Sequence, residues 1–489
     1  MENFMYFCSM EKSIATHILS YFQHEPTQDQ AVLIAKLADF IENPNREKIF
    51  LLKGFAGTGK TTLVSALVSA VAQMGLKSVL LAPTGRAAKV LSGYCGRPAQ
   101  TIHKKIYFPK VTPEGHLMLT IKDNRHSNTL FVVDEASMIP DSEKNNRFGN
   151  YTGRDLLADL ITFVYNKKNC FMILVGDTAQ LPPVGLEISP ALDPKNSCHF
   201  SHLSLDTHEL TQVVRQAEDS AILRNATRVR RHIQSGKFRP PFLYPDVSFD
   251  FQYIDSQEME DALNTAYSRY GSEEVVVICR SNKRANLFNH HIRVSSYGYE
   301  PQITAGDQIM IVKNNYFWLS ESDETDFIAN GEMAVVERIK RFEERYGFHF
   351  ADARIRLIDY PEMGSLEVKL LLDTLESEHP NLPWEQYRAL FNALDEELSA
   401  DIGTRRGRMD AIRQNPYFNA LQVKFSYALT CHKTQGGQWK CVFLDQGWLT
   451  PEHINKEFLR WIYTAITRAT EQLYLVNFSD YLVGGKGER

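Results

Sequence analysis

Hydrophobic and polar positions alternate between two spacings over the stretch from Glu47 to Val175. KIFLLKG (48–54), SVLLAP (78–83), TLFVVDEA (129–136) and CFMILVGD (170–177) are short apolar runs, each ending in polar or loop-forming residues. Runs that are nearly continuous rather than alternating predict strands buried on both faces. TTLVSALVSAVAQMG (61–75) instead carries apolar residues at helical spacing. Short buried strands alternating with helices predict an α/β fold with a parallel sheet covered on both sides. Ligands of such sheets gather at the carboxyl ends of the strands.

A second unit of the same kind begins near Glu273 with EEVVVICRSNKRANLFNHHI. It resumes at VKFSYALTCHKTQGG and ends with RWIYTAITRATEQLYLV. Between its halves, DQIMIVKN, EMAVVERIK, FADARIRLIDY and SLEVKLLLD predict strands separated by turns, as in a small antiparallel barrel. PWEQYRALFNALDEEL (383–398) predicts a helix with Pro383 at its start. A smaller insert, KKIYFPKVTPEGHLMLTIKD (104–123), predicts a β-hairpin turning at Pro-Glu-Gly. The expected division is 1–103 with 124–235 for a first α/β domain and 104–123 for its hairpin insert. The second domain takes 236–302 with 421–489, and the barrel insert takes 303–420.

Length and composition narrow the class. With 489 residues, two to four domains are expected, with core enough to need no disulfides or structural metal. A 43% hydrophobic and 23% charged composition excludes a disordered, collagenous or coiled-coil chain. No apolar run approaches bilayer length, and the opening MENFMYFCSMEKSIATHILSYF does not read as a secretory signal. The seven cysteines show no C-x-x-C spacing, which fits a reducing cytoplasm and argues against structural zinc. A net charge of −5 means that any polyanion site must be local.

Candidate chemistry falls at the strand ends. Gly54-Phe-Ala-Gly-Thr-Gly-Lys60-Thr61 matches G-x-x-x-x-G-K-[ST], follows a predicted strand and precedes a predicted helix. Its glycines let backbone amides curl around phosphates, Lys60 reaches the β- and γ-phosphates, and Thr61 binds magnesium. Asp134-Glu135 ends another strand. An aspartate opposite a phosphate loop suits magnesium, and the second carboxylate suits a water to be oriented or deprotonated. Gln180, in VGDTAQLPPVG, is either a turn residue or a sensor of the γ-phosphate, in a loop stiffened by Pro182-Pro183. These parts point to a nucleotide triphosphatase and leave its use of energy open.

In the second unit, Tyr427-Ala-Leu-Thr430-Cys-His432-Lys433-Thr-Gln435-Gly436-Gly437 gathers Thr, His, Lys and Gln with glycines in one loop. That composition suits a sugar-phosphate backbone, or equally a polar loop around a core histidine. Arg468 follows Tyr463 on a predicted helix, and Arg215 sits in LTQVVRQ. Each is either a surface residue or an arginine finger reaching across a domain cleft, a contact worth on the order of 10³–10⁵ in rate.

Taken in order from about Thr27 to Val476, these blocks resemble the superfamily 1 helicases of the RecD-like 5′→3′ class, relatives of RecD, Dda and Pif. The carrying residues are Thr27-Gln28-Asp29-Gln30, GFAGTGKTT, APTGRAAKVL (82–91), TIHKKI (101–106), VVDEASM, VGDTAQLPPVG, LTQVVRQ, ALTCHKTQGGQ and YTAITRAT. The resemblance implies two RecA-like domains, a hairpin insert in the first and an SH3-like barrel in the second.

It further implies ATP and Mg2+ as cofactors. Gln30 then reads adenine, with Gly54, Ala56, Gly57, Thr58, Gly59, Lys60, Thr61 and Thr62 around the nucleotide. Thr61 and Asp134 hold the metal, Glu135 activates water, and Gln180, Arg215 and Arg468 face the γ-phosphate. Pro83, Thr84, Arg86, Thr101 and His103 lie along single-stranded DNA in the first domain. Ser281, Asn282, Thr430, His432, Lys433, Gln435 and Gly436 do so in the second. Two positions depart from the pattern: Val214 stands where many relatives stack an aromatic on adenine, and Gln438 where many carry a glutamate.

The expected function is an ATP-dependent DNA helicase serving repair, recombination or replication. Its expected partners are single-stranded DNA and single-strand/duplex junctions, with a repair-complex protein as a further expectation, no membrane and a monomeric state. The hairpin is expected to split the duplex, with Phe108 and His116 stacking on an unpaired base; its alternative is a structural hairpin. The barrel is expected to cover the DNA with Lys313-Asn314-Asn315 near the strand, and the basic run Arg405-Arg406-Gly407-Arg408 to be a solvated loop, its alternative being a further contact to the DNA. Competing readings are a translocase without unwinding, an RNA-directed motor and a slow nucleotide-gated switch.

Overall fold

The computed structural model describes residues 13–22, 24–43, 48–111, 117–140, 154–167, 169–195, 198–214, 220–245, 250–319 and 327–484. The first domain carries strands β1 (Lys48–Gly54), β2 (Lys77–Ala82) and β3 (Ala99–Thr101). The hairpin strands β4 (Tyr107–Val111) and β5 (Leu117–Ile121) interrupt it before β6 (Thr129–Val133), β7 (Cys170–Gly176) and β8 (Ser204–Leu210). All strands outside the hairpin form one parallel sheet in the order β3-β2-β6-β7-β1-β8. β6 and β7 are buried at every position, which is why they read as continuous apolar runs. Helices Gln28–Glu42 and Lys60–Gln73 cover one face through Leu33, Leu37, Leu63 and Leu67. Leu157 and Leu160 of helix Leu156–Tyr165 cover the other, against Phe131 and Met172.

β4 and β5 pair antiparallel from Tyr107↔Ile121 to Val111↔Leu117. The hairpin is anchored at its base: buried Tyr107 donates to Asp159 at 2.6 Å, and Arg154 grips the same carboxylate through Nε and Nη2. Phe108, the next residue, is exposed, whereas His116 lies outside the described residues.

The second domain begins with β9 (Phe251–Ile254) and β10 (Val275–Cys279). The barrel then intervenes with β11 (Gln308–Ile311), β12 (Met333–Arg345), β13 (Phe348–Leu357), β14 (Ser365–Leu371) and β15 (Leu421–Phe425). β16 (Ala428–Thr430), β17 (Trp439–Asp445) and β18 (Ala469–Val476) complete a parallel sheet of order β16-β10-β17-β18-β9.

Three expectations need correction. Leu421–Phe425, assigned to the second α/β domain, closes the barrel by pairing antiparallel with β11 and parallel with β14. All five of its residues are buried, so its pattern cannot distinguish a barrel strand from a doubly covered one. Helix Ala221–Ser235, assigned to the first domain, packs Ala226, Val229 and Ile233 into the second domain's core beside Ile462 and Leu475. The Arg405 run opens helix Arg405–Arg413, capped by Thr404, and Arg408 pairs with Asp395 at 2.6 Å. The barrel is locked to the second domain by Arg293, whose guanidinium grips Asp307 at 2.8 and 2.9 Å with both side chains fully buried. Lys313-Asn314-Asn315 serve the barrel itself. Asn315 donates to Asn419 O at 2.8 Å, Asn314 Oδ1 accepts from Asn330 N–H, and Lys313 lies 4.0 Å from the Tyr387 ring centroid.

Candidate nucleotide and nucleic-acid site

The phosphate loop leaves β1 and enters helix Lys60–Gln73 through left-handed Gly57 and Gly59, at φ of 76° and 80°. No larger residue fits at Gly59, where a Cβ would lie 2.5 Å from Gln30 Nε2. Lys60 Nζ donates to Gly54 O and Phe55 O at 2.7 and 2.9 Å, and buried Thr58 closes the loop by donating to Phe55 O at 2.8 Å. Gln30 is buried and bridges two elements. Its Oε1 accepts from Thr27 N–H at 2.9 Å in a capping box, and its Nε2 donates to Thr58 O at 3.0 Å. The residue expected to read adenine thus also fixes the phosphate loop. Asp29 beside it accepts from Thr211 N–H, Thr211 Oγ1–H and Gln212 N–H, bonds that lower its carboxyl's pKa. The segment so tied runs into Val214, whose N–H donates to Gly57 O at 3.0 Å; Arg215 lies outside the described residues.

Asp134 and Glu135 leave β6 facing this loop. Burial, and then Glu135, push the Asp134 carboxyl up to about 6. Glu135 has φ 51° and ψ 38°, a left-handed conformation that costs a non-glycine residue about 1–2 kcal/mol. Arg468 of the second domain reaches within 3.8 Å of Glu135 Oε1. It stands in the turn between helix Lys456–Ile466 and β18 rather than on the helix, held by Thr464 O, Gly437 O and Thr467 Oγ1. Gln180 is buried after β7 with its Oε1 unpartnered.

These donors fit a magnesium nucleotide. Thr61 and Asp134 offer hard oxygens, and the Asp134 carboxyl would gain most from a divalent cation. Among the described residues no cluster of three or more metal-type ligands exists.

The two domains meet through bonds the sequence does not announce. Fully buried Tyr463 accepts from Ala56 N–H of the phosphate loop at 2.8 Å and donates to Asp177 Oδ2 at 2.6 Å. The loop carrying Gln180 is bracketed at Leu181, whose N–H donates to Thr464 Oγ1 at 2.8 Å and whose carbonyl accepts from Gln435 Nε2 at 2.7 Å. Arg460 donates to Glu187 O and Thr178 O of the same loop. Gln435, expected along DNA, is therefore buried and committed to the first domain. None of these four roles was legible beforehand, although Tyr463, Thr464 and Gln435 lie inside the flagged motifs.

Arg86 is likewise drawn into the seam. Its guanidinium lies 4.8 Å from the Trp439 ring centroid, donates to Gln438 O at 3.2 Å and stands 3.7 Å from Asp359 of the barrel. Gln438 accepts from Tyr94 O–H at 3.0 Å. Gly436, at φ 73°, passes so close to the first domain that a Cβ would meet Ala87 Cβ at 2.6 Å and Thr84 Oγ1 at 3.2 Å. Thr84, Thr101 and Ser281 each cap a helix, accepting from Ala87, Lys104 and Arg284 N–H. Asn282 donates to Glu378 O, and burial pushes the His103 imidazole down to about 4. Pro83 and Thr430 are half-buried at strand carboxyl ends, and the short helix Cys431–Thr434 after β16 carries exposed His432 and half-buried Lys433.

Comparison with known proteins agrees with this arrangement. Residues 27–238 match an AAA domain model and residues 425–476 a UvrD-like helicase C-terminal domain. The chain is 32% identical over 201 residues to the ATP-dependent RecD2 DNA helicase of Deinococcus radiodurans, covering 41% of this chain and 23% of that one. It is 31% identical over 183 residues to the ATP-dependent DNA helicase dda of phage T4, covering 37% of each. An uncharacterized protein of Acanthamoeba polyphaga mimivirus, R530, is 23% identical over 507 residues, covering 91% of this chain and 98% of its own. With the phosphate loop, the acidic pair and Arg468 assembled between two parallel-sheet domains, the chain is similar over these segments to ATP-dependent DNA helicases of the RecD2 and Dda kind.

Proposed function

We propose that this chain is an ATP-driven DNA helicase that moves 5′→3′ along single-stranded DNA and separates duplex DNA for repair, recombination or replication. The observation that carries the motor reading is the split site. Lys60, Asp134, Glu135 and Gln180 stand on the first domain, and Arg468 reaches Glu135 from the second at 3.8 Å. Magnesium held by Thr61 and Asp134 would neutralise phosphate charge, Glu135 orients the attacking water, and Gln180 and Arg468 meet the γ-phosphate. Arg215 is assigned the same partner.

Closure around ATP draws Arg468 and Tyr463 toward the phosphate loop, and hydrolysis releases them. Because Gln435, Thr464 and Arg460 hold the Gln180 loop directly, the change passes to the loop bearing Thr430, His432 and Lys433. Backbone-directed grip implies sequence-tolerant, salt-sensitive binding. Exposed Phe108, on a hairpin anchored through Tyr107, is assigned the role of splitting the duplex. Among the described residues no helix is long and apolar enough to cross a membrane, and a monomer in the cytoplasm is proposed.

The test is ATPase rate with and without single-stranded DNA, beside equal single-stranded RNA and Lys60→Ala, followed by unwinding of 5′- and 3′-tailed duplexes. DNA stimulation abolished by K60A, with unwinding of 5′-tailed substrates, is expected. A rate indifferent to nucleic acid removes the motor reading, and preference for 3′ tails reverses the polarity.

A further inference from the structure

The loop that leaves β17 holds out an indole that the fold does not use. Trp448 is 79% exposed, more than any other Phe, Tyr or Trp among the described residues. The backbone beneath it is fixed on both sides. Asp445, fully buried, accepts from Arg284 Nε and Nη2 at 2.9 and 3.0 Å. Buried Gln446 donates to Ser479 Oγ at 3.1 Å and accepts from Ser479 N–H at 2.7 Å. Gly447 then turns the chain at φ 66°, and Leu449 packs back against the second domain's core. The ring is therefore presented on an anchored support rather than on a free tip.

Its surroundings are cationic, not apolar. β10 and β17 pair in parallel at Ile278↔Leu444, so Arg280 and Gln446 leave the sheet side by side. Arg280 Nη1 donates to Trp448 O at 3.4 Å, and its guanidinium lies 5.4 and 5.8 Å from the ring centroids of Phe458 and Trp461. Arg280 is exposed, and among the described residues no carboxylate lies within 4.0 Å of it. A protein-docking anchor sits in an apolar surround that excludes water. A flat exposed ring beside an unpaired guanidinium instead suits a nucleobase and the phosphate attached to it. Carboxyl ends of parallel strands are also where such sheets bind ligands. The order β16-β10-β17 sets this loop two strands from the one carrying exposed His432, about 10 Å away by strand spacing.

Resting on the single-strand motor reading above, we infer that Trp448 and Arg280 form a base-stacking subsite on the second domain, Trp448 carrying one unpaired nucleobase and Arg280 the adjoining phosphate. Neither residue lies in a motif that pointed to DNA. The second-domain contacts expected from the resemblance suit the sugar-phosphate backbone, whereas this subsite makes the bases themselves felt. Every base has a π-face, so the stack is tolerant of sequence.

The experiment uses the full chain with two labelled strands of equal length, oligo-dT and a wholly abasic strand, and follows affinity by anisotropy against salt. Trp448→Ala is expected to weaken oligo-dT binding about 5- to 150-fold, a base–aromatic stack of about 1–3 kcal/mol at 1.36 kcal/mol per decade. On the abasic strand the same change should cost less than about twofold, because no base is there to stack. W448F should recover most of the loss. Arg280→Gln should weaken both strands and lower the slope of log affinity against log salt by about 0.7, the loss of one phosphate. If W448A does not fold, W448L keeps apolar bulk without the flat ring and supplies the same comparison. Oligo-dT binding within twofold of wild type overturns the subsite and gives the ring to a protein partner. Equal losses on the two strands overturn it as well, since the contact would then not be to a base, and an unchanged salt slope in R280Q removes the phosphate contact. A wild-type chain that neither binds oligo-dT nor responds to it in ATPase would sink the motor reading itself, a result distinct from failure of the variants alone.

Discussion

Replacing Tyr463 by Phe keeps the buried ring and removes two bonds that join the domains. One is accepted from Ala56 N–H at 2.8 Å and the other donated to Asp177 Oδ2 at 2.6 Å. Asp177 keeps its bond from Ala179 N–H at 2.9 Å, so the change strands one loop amide and one carboxylate oxygen rather than a whole side chain. A stranded buried donor costs about 1–3 kcal/mol, and a lost bond to a charged group about 1.5–3 kcal/mol. If about half of that combined cost falls on the transition state, at 1.36 kcal/mol per decade the rate drops by about 10- to 100-fold. The drop should appear in kcat at saturating single-stranded DNA, with KM for ATP moved less than about threefold, because Lys60 and the other loop amides are untouched. DNA affinity without nucleotide should stay at the wild-type level, while its change on adding a non-hydrolysable ATP analogue should disappear. Circular dichroism at the assay temperature separates this from unfolding. A Y463F chain with kcat within twofold of wild type, and with nucleotide still altering DNA affinity, would refute the claim that this hydroxyl couples the domains.

Three other outcomes are expected. Arg468→Ala should lower DNA-stimulated ATPase by on the order of 10³–10⁵ while a fluorescent ATP analogue still binds; comparable activity would remove the trans-acting arginine. Burial pushes the Lys433 ammonium down to about 7, and a backbone phosphate beside it would hold its proton on. Affinity for oligo-dT should therefore fall as pH rises above 7, by up to tenfold per unit for one linked proton, and K433M should abolish that decline. Lys104 and Glu332 pair at 2.6 Å with side chains 5% and 0% exposed, across the contact between first domain and barrel. Lys104→Met leaves that carboxylate buried and alone, at a cost of about 3–5 kcal/mol. Its urea midpoint should drop clearly, with the K104M/E332L pair recovering part of the loss; equal midpoints for all three chains would count against the contact.

What the sequence could determine was whatever chemistry demands of neighbouring residues. A phosphate loop needs its glycines, lysine and threonine within eight positions, and an acidic pair must end a strand, so Lys60, Thr61, Asp134 and Glu135 were legible from local pattern. Both α/β domains, the hairpin and four barrel strands followed from spacing for the same reason. Tertiary structure decided what depends on long-range partners. Phe425 closes the barrel through Ile309, and Val229 joins the second domain's core, because burial on every side erases the periodicity that separates one sheet from another. Gln435 turned from the DNA track to Leu181, Arg86 turned to Trp439 and Gln438, and Tyr463 became the link between phosphate loop and Asp177. A polar side chain in a motif declares that it will make a bond; which partner it takes is set by what the folded chain brings within about 3 Å.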